Sequence, residues 1–590
     1  MYESIHAREK SKFGLSFWVE RYRKSESHRV GTWDYQARQC SRVRENDIPD
    51  GNKLPNGENM VKHFYKDNFP YKQIKWWVAM LTGSEVSYDL ESSSSIRDEN
   101  TEILECALNM HAYQMDVPRH TQYALYDTYY TGMGYVRRWW DKHDISVSHK
   151  TGRPKIEHVE SMKMFIDPAT QKEDKSDMRF IFHVEKFHWR ELAKQYPNLK
   201  DELESQSNEH ELVELVIVQY RTDVLVDSVF VTDNGQEPVK EWLCPLDECQ
   251  KFLESGESLP DGMDISMPFK IRKTFWYEAR FFPALDKVLQ YPEYVGESCL
   301  YHIFAYESRK GSAYSVGLCY YLLDMLYLNV IMLTSLAQQV FKNQKNEKII
   351  EGDSLLNQDE YLEHGYKLGV NPVTDPVWRD SHPGVDPVKP LPLPEIPRGL
   401  ELMHNLILQT AKDATGVTDT LEGKSEYSGM SGVAIAQHLT AGKTYHKQEV
   451  ARYLWWLKDI GKELMYDISK NMQHPHYMNF LDSGNEMGYV KVNDPFENSL
   501  TYEPDNVTIT CSLTEDVEVL KQLRREMAVQ LFQMGIVSGR QVLEYTDFKN
   551  PERIWRDAKE EQGVMEIIDF LRDNPQLMEQ LQIAMQGGAA

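Results

Sequence analysis

The chain has 590 residues, 41% hydrophobic and 27% charged, which indicates roughly three to five folded domains and excludes an intrinsically disordered protein. Its net charge of −25 excludes a protein that wraps nucleic acid by neutralising phosphates, and it disfavours binding to an anionic membrane surface. Seven cysteines make no disulfide framework, and no second Cys or His pair stands at zinc spacing from Cys244 and Cys249. The N-terminus has no apolar run after its charges, so we expect no secretory signal.

The first 140 residues predict a charged arm followed by helices and strands. Residues 1–44 hold ten basic and five acidic side chains, which favours a locally positive, solvated amphipathic arm. A helix is predicted where apolar residues recur at helical spacing, at Ile74, Trp77, Val78 and Leu81. Gly83 would stop this helix, and a strand would start at Val86. Residues 99–131 predict one further long helix, and residues 135–140 predict a strand.

The middle of the chain changes from strands to a long helix. Residues 145–290 contain runs of β-branched and aromatic residues between turn signals, so this region is predicted to be β-rich. A last strand is predicted at Tyr301–Tyr306. From Gly311 to about Asn343 the pattern predicts a single helix, about 48 Å long at 1.5 Å per residue.

The segment Val316–Leu336 is about long enough to cross a bilayer. Asp324 lies near its middle, and an isolated central Asp costs roughly 2.5–3.5 kcal/mol on insertion. The polar residues of the extended helix fall on one stripe, which is typical of a long soluble helix packed on several sides. A membrane-embedded protein that uses residues 316–336 stays open as an alternative.

Prolines and glycines punctuate the C-terminal half. Eight of the 26 prolines lie between Pro372 and Pro397, which predicts an extended, non-helical stretch. A helix over residues 397–416 should follow, then a glycine-rich loop to residue 432. Residues 433–472 predict a very long helix, with possible kinks at Gly442 and Gly461. Strands are expected within residues 484–512, and helices from residue 513 to the end.

The sequence contains no spaced set of catalytic residues. Lys424 and Lys443 each follow a glycine, as in a phosphate-binding loop, but the loop's first glycine is replaced by Thr418 and Gln437 respectively. His474 and His476 flank a proline, which favours a surface turn over a metal site. We therefore predict no enzyme, no catalytic or metal-binding residue and no cofactor.

The order of these elements resembles that of the portal protein of tailed bacteriophages, the head-to-tail connector. Local segments agree with it: VAMLTGSEVSYDL (78–90), ALYDTYYTGMGYVRRWWD (124–141), MFIDPATQKEDKSDMRFIFHVEKFHWRELAKQYP (164–197), DATGVTDTLEGKSEYSGMSGVAIAQ (413–437) and GIVSGRQVLEYTDFKNPERI (535–554). A single segment does not identify the family, but the order of all five over some 500 residues is specific to it.

The resemblance implies an α+β subunit with a mixed α/β wing, a long helical stem, a small α/β clip, a long kinked helix and a helical crown. The implied boundaries are an N-terminal arm and wing at 1–310, a stem helix at 311–343, a clip at 344–396, a returning stem helix at 397–416, a tunnel loop at 417–432, a kinked wing helix at 433–473, wing strands at 474–512 and a crown at 513–590.

The family further implies a homo-oligomeric ring of about twelve subunits at a capsid vertex, through which double-stranded DNA is packaged and ejected. Its partners would be the terminase, neck or adaptor proteins, the scaffold protein and the major capsid protein, with no membrane. The protein would be in the virion, and in the host cytoplasm during assembly. The alternative within the same particle is an enzyme such as a packaging nucleotidase.

Site residues are assigned by the same resemblance. The tunnel loop would present five residues to the DNA channel: Thr418, Lys424, Ser425, Tyr427 and Ser428. The stem would place three in the subunit interface: Leu322, Met325 and Leu406. The clip would offer three for docking: Trp378, Arg379 and Lys389.

Overall fold

The computed structural model describes residues 2–47, 67–83, 86–92, 99–145, 150–208, 210–233, 240–246, 249–250, 263–309, 312–345, 348–364, 371–390, 398–416, 447–481, 487–493, 502 and 507–513. The tunnel loop, residues 433–446 and the crown after residue 513 lie outside these described residues, while Leu513 itself ends a strand rather than starting the predicted helices.

Helices lie on both sides of a β-rich middle of the described chain, and strands end it. They are α1 (Tyr2–Lys12), α2 (Leu15–Arg29), α3 (Tyr35–Arg44), α4 (Phe69–Thr82), α5 (Glu99–Gln114), α6 (Val117–Thr131), α7 (Trp189–Gln195), α8 (Lys200–Ser205), α9 (Leu318–Lys345), α10 (Gln358–His364), α11 (Pro376–Ser381), α12 (Arg398–Thr415) and α13 (Lys447–Asn471). A π-helical turn over Val30–Asp34 joins α2 to α3.

The strands pair antiparallel. They are β1 (Val86–Ser92), β2 (Met133–Asp141), β3 (Arg153–Val159), β4 (Met164–Ile166), β5 (Phe180–His188), β6 (Leu212–Asp233), β7 (Lys240–Pro245), β8 (Met263–Ile265), β9 (Phe269–Phe282), β10 (Lys287–Gly296), β11 (Tyr301–Ala305), β12 (Glu307–Ser308), β13 (Ser315–Val316), β14 (Lys348–Ile350), β15 (Val388–Pro390), β16 (His476–Leu481), β17 (Met487–Val492) and β18 (Val507–Leu513). Helices and antiparallel sheets together confirm the predicted α+β class.

The long strand β6 organises the largest sheet. This sheet has seven strands, in the order β10-β9-β6-β5-β4, with β7 and β8 also paired to β6. A second sheet has the order β11-β2-β3, and β1 pairs with β18 far along the chain. The predicted β-rich middle is therefore confirmed.

The main hydrophobic core joins elements that are distant in sequence. It holds buried residues of α4, α5, α6, α9 and α13, including Trp77, Leu125, Leu322 and Leu457. Their apolar positions recur every three to four residues, so each helix buries one face. The pairing of β1 with β18 closes this core against α13, where Ile509 and Tyr88 are buried.

The N-terminal arm is not the solvated segment that its charges predicted. Trp18 and Tyr22 of α2 pack into the core of the seven-stranded sheet. Trp33 is 1% exposed, and its Nε1 donates to the carbonyl oxygens of Thr131 at 2.8 Å and Ser315 at 3.0 Å. Large aromatic side chains gain much by burial. Most charges of the arm stay partly or fully exposed, and the buried Arg29 and Asp34 form an ion pair at 2.7 Å.

The predicted helix over 99–131 is two helices. Asp116 adopts a left-handed backbone (φ 54°) between α5 and α6, and Pro118 stands within the first two positions of α6. Proline is favoured at a helix start because it lacks the N–H that would go unsatisfied there.

The predicted helix from Gly311 starts later, at Leu318. Ser315 and Val316 instead pair with β12. Gly317 then passes the end of α6 so closely that a Cβ there would lie 2.6 Å from the Tyr129 carbonyl oxygen.

The proline-rich stretch contains a short helix, which contradicts the prediction that it is wholly extended. Pro376 opens α11, and the Asp375 carboxylate caps it by accepting from the Val377 N–H at 2.9 Å. An Asp-Pro pair is a strong helix start, so the signal was in the sequence.

Gly461 does not interrupt α13, which is one helix from Lys447 to Asn471. A Cβ at this position would lie 2.3 Å from Cε1 of Tyr88. The glycine therefore serves close packing between α13 and β1.

Candidate subunit-contact and docking surfaces

Helices α9 and α12 pack together and leave apolar residues on their outer faces. Ala411 of α12 belongs to the main core and Leu408 packs against it, while Ile407 is also buried. Between the helices, Nδ1 of His404 lies 2.7 Å from Oδ1 of Asn329, which is fully buried. This polar contact fixes how the two helices meet.

The outer face of α12 is apolar although it faces solvent. Leu402 is 70% exposed, Leu406 is 64% exposed, and Met403 is exposed beside them. On α9, Leu328 and Ile331 are also exposed. An exposed apolar stripe on adjacent helices is typical of a surface that another chain covers.

The three predicted interface residues fall in different places. Leu322 is 0% exposed and belongs to the core of this chain, so it offers no surface to a neighbour, and its assignment is corrected. Met325 is half-buried against the same core. Leu406 alone of the three is well exposed. Leu402 and Met403 share its face, and sequence reasoning missed them.

Helix α9 also meets the length and hydropathy that a membrane span requires, over Leu318–Ala337. Half of that window is buried within the chain, and it includes the fully buried Asn329 and Thr334. Its apolar residues therefore serve in part as the chain's own core.

A small module, residues 348–390, follows α9. Its strands β14 and β15 pair through Ile349 and Lys389. The predicted docking residue Lys389 donates from Nζ to the Glu351 carboxylate at 2.8 Å. That bond, with a weaker effect of His382, lowers the pKa of the exposed Glu351. Lys389 is half-exposed, and it already forms an ion pair with Glu351.

The other two docking candidates lie on α11. The Trp378 ring stacks on His382, with centroids 4.7 Å apart and planes 14° apart, and Trp378 is half-buried. Arg379 is exposed one residue later. Sequence reasoning missed two exposed apolar residues of this module, Val377 (75% exposed) and Leu356 (65% exposed). The N–H of Leu356 donates to the Val373 carbonyl oxygen at 2.8 Å.

The five predicted tunnel-loop residues lie outside the described residues, but both flanks of that segment are held by the core. Before it, Nε1 of Trp77 donates to the Thr415 carbonyl oxygen at 3.2 Å. After it, Nη2 of Arg452 donates to the Ala305 carbonyl oxygen at 2.6 Å. The chain thus leaves and re-enters one core.

A buried polar network fixes α13 to the sheets. Arg138 of β2 is 2% exposed, contacts the Asp467 carboxylate and lies 3.7 Å from Glu463. Burial lowers the pKa of Arg138 to about 10.

Burial also lowers the pKa of His183, which lies 3.0 Å from the Tyr301 hydroxyl, to about 3.

Among the described residues, no group of three or more His, Cys, Asp or Glu side chains is placed to hold a metal ion. His476 contacts the Tyr502 hydroxyl at 2.8 Å.

Comparison with known proteins identifies one family. The family model described as Phage P22-like portal protein matches residues 84–589. No curated protein matches the chain. The match includes α9, α12, α13 and the small module, whereas residues 2–47 lie outside it.

Proposed function

Because the chain belongs to the P22-like phage portal protein family, we propose that about twelve copies form a ring at one capsid vertex. The family is one of structural proteins located in the virion, not of enzymes. In this proposal α9 and α12 are the stem, the small module is the clip, and residues 417–432 and 513–590 are the tunnel loop and crown.

The ring would be the channel through which double-stranded DNA is packaged and ejected. About twelve chains of net charge −25 would carry about −300. Each phosphate that a Lys or Arg neutralises adds affinity by counterion release. An acidic wall keeps such contacts few, so DNA can move. Lys424, Thr418, Ser425, Tyr427 and Ser428 are proposed to line the narrowest part.

Partners would bind at different heights of the ring. We assign Trp378, Arg379 and Lys389 to a docking surface for the terminase during packaging, and for neck or adaptor proteins afterwards. The wing would contact the scaffold and major capsid proteins during assembly in the host cytoplasm.

The observation that supports the ring best is the apolar outer face of α12. Leu402 and Leu406 would each be better removed from water, and burying a Leu side chain is worth roughly 1.5–3 kcal/mol. A neighbouring copy that packs against this face removes the same residues in every subunit, so the gain is repeated around the ring.

The test is to replace Leu406 by Asp and to measure the mass of the purified assembly, with image averages of its axial view. Leu406 is exposed within the chain, so Leu406→Asp should fold and should yield mostly monomers, because a carboxylate would enter the interface. Leu322→Asp cannot serve here, since it would place a charge in the chain's own core.

The matched control is Asn405→Asp, which adds the same charge at the neighbouring exposed position of α12. It should form rings as the unchanged chain does. Normal rings from Leu406→Asp would contradict the assignment of this face to the interface.

A further inference from the structure

We propose that a pocket between α2 and the seven-stranded sheet binds an acidic peptide segment that carries an aromatic side chain. The pocket holds about 330 Å³, near the lower limit for a ligand site and enough for one large side chain. Its outer wall is α2, which lies outside the family match. The inference does not depend on the ring.

The floor of the pocket is aromatic. The Trp18 ring lies 4.6 Å from that of Tyr220 and meets Phe180 edge to face, with centroids 5.9 Å apart. These three side chains are buried, whereas Phe17 at the rim is 49% exposed. An incoming aromatic ring would find both a stacking surface and an edge here.

The rim is cationic. The guanidinium carbon of Arg21 lies 4.4 Å from the ring centroid of Phe17 and 5.0 Å from that of Phe180. Among the described residues Arg21 forms no ion pair, and the adjacent Glu20 is bound to Lys24 at 2.6 Å. A guanidinium that is attracted to aromatic rings and forms no ion pair still has N–H donors to offer a ligand.

Two further arginines of the pocket are held in place by hydrogen bonds to residues outside it. Arg179 donates to the buried Asp167 carboxylate at 2.6 and 3.0 Å. Arg221 donates from Nη1 to the Ser176 carbonyl oxygen at 3.0 Å, and its Nε lies 3.8 Å from Asp223. Both side chains are thereby held at the pocket, and Asp223 is the one acid among its lining residues.

This chemistry favours a carboxylate next to an aromatic side chain. A guanidinium edge matches a carboxylate by two parallel hydrogen bonds. A polynucleotide would need a row of cations at phosphate spacing beyond the pocket, whereas the cations here are the three arginines that line this one pocket. A peptide that places one ring on the floor and one carboxylate at Arg21 meets both conditions.

The test uses fluorescence anisotropy on the full-length chain. The probe is a labelled, blocked pentapeptide with phenylalanine between two pairs of glutamates, and it should bind. Arg21→Gln should weaken binding about tenfold or more, because one charge-assisted hydrogen-bonded pair is lost. Phe17→Ser, at an exposed position, should also weaken binding. Circular dichroism establishes that both variants are folded.

Arg23→Gln is the matched control, since Arg23 is exposed on the same helix outside the pocket, and it should bind as the unchanged chain does. A peptide with glutamine in place of glutamate, and one with alanine in place of phenylalanine, should each bind about tenfold more weakly. Equal binding by Arg21→Gln, or by the glutamine peptide, would overturn the proposal. Tighter binding of an oligothymidylate than of the acidic peptide would do so as well.

Discussion

Gly461 is the point where α13 comes closest to β1, and replacing it by alanine tests how the main core is closed. The added methyl carbon would lie 2.3 Å from Cε1 and 2.7 Å from Cδ1 of Tyr88, and 3.1 Å from Cδ1 of Ile509. Ordinary contacts are 3.4–4 Å, so the ring would have to move by about 1 Å. Tyr88 is 1% exposed and belongs to the main core, so its ring is enclosed by other side chains.

The expected loss follows from two opposing effects. Overpacking a core costs roughly 1–3 kcal/mol, and a clash with two ring atoms belongs at the upper end. Alanine in a helix interior gains about 1 kcal/mol over glycine. We therefore expect Gly461→Ala to lower the free energy of unfolding by about 2 kcal/mol. Urea unfolding of the full-length chain, followed by tryptophan fluorescence, measures this change.

The control is Gly399→Ala in α12, where a Cβ meets nothing within 4 Å. That variant should be unchanged or slightly more stable. Tyr88→Leu combined with Gly461→Ala should recover part of the loss, since the two residues are in contact. If Gly461→Ala unfolds at the same urea concentration as Gly399→Ala, the close approach of α13 to β1 is wrong.

Three other predictions concern the loop, the buried histidine and the small module. Deleting residues 418–429 should leave rings intact but reduce the DNA packaged per capsid, and packaging at full yield would remove this loop from the channel. Since burial lowers the pKa of His183 from 6.5 to about 3, the unfolded chain binds a proton that the folded chain does not between these values, and stability should fall as pH drops through that range. This histidine alone should contribute about 2 kcal/mol between pH 7 and pH 5; His183→Gln should show a smaller difference between urea midpoints at these two values, and an equal one would contradict the burial. Asp375→Ala removes the cap of α11 and should cost that helix about 1 kcal/mol, seen as faster amide exchange at Val377, whereas unchanged exchange would show that the cap is dispensable.

Sequence patterns predicted most element types correctly because local forces decide them. The helix ending near Gly83 and the strand beginning at Val86 follow from apolar spacing and a helix stop, and both are confirmed. Charge was a poorer guide for the N-terminal arm, since Trp18 and Trp33 are buried beneath a charged surface. Aromatic content was the better signal there.

The contact surfaces were harder to predict for a physical reason. Periodicity shows that α9 has a wide apolar face, but it does not show which part the chain covers itself. Leu322 and Leu406 are equally apolar in sequence, yet one is fully buried and the other is 64% exposed. Only the path of the other helices through space separates them.

The two tryptophans of the N-terminal arm also bear on how the protein should be produced. A polypeptide trimmed to residues 84–589, as the family match invites, would lack both indole rings. The carbonyl groups of Thr131 and Ser315 would then lose the donor supplied by Trp33. The aromatic surface under Trp18 would be bare, and such surfaces promote aggregation. The family match begins at residue 84, but residues before it are part of the folded core. An expressed protein should therefore include them.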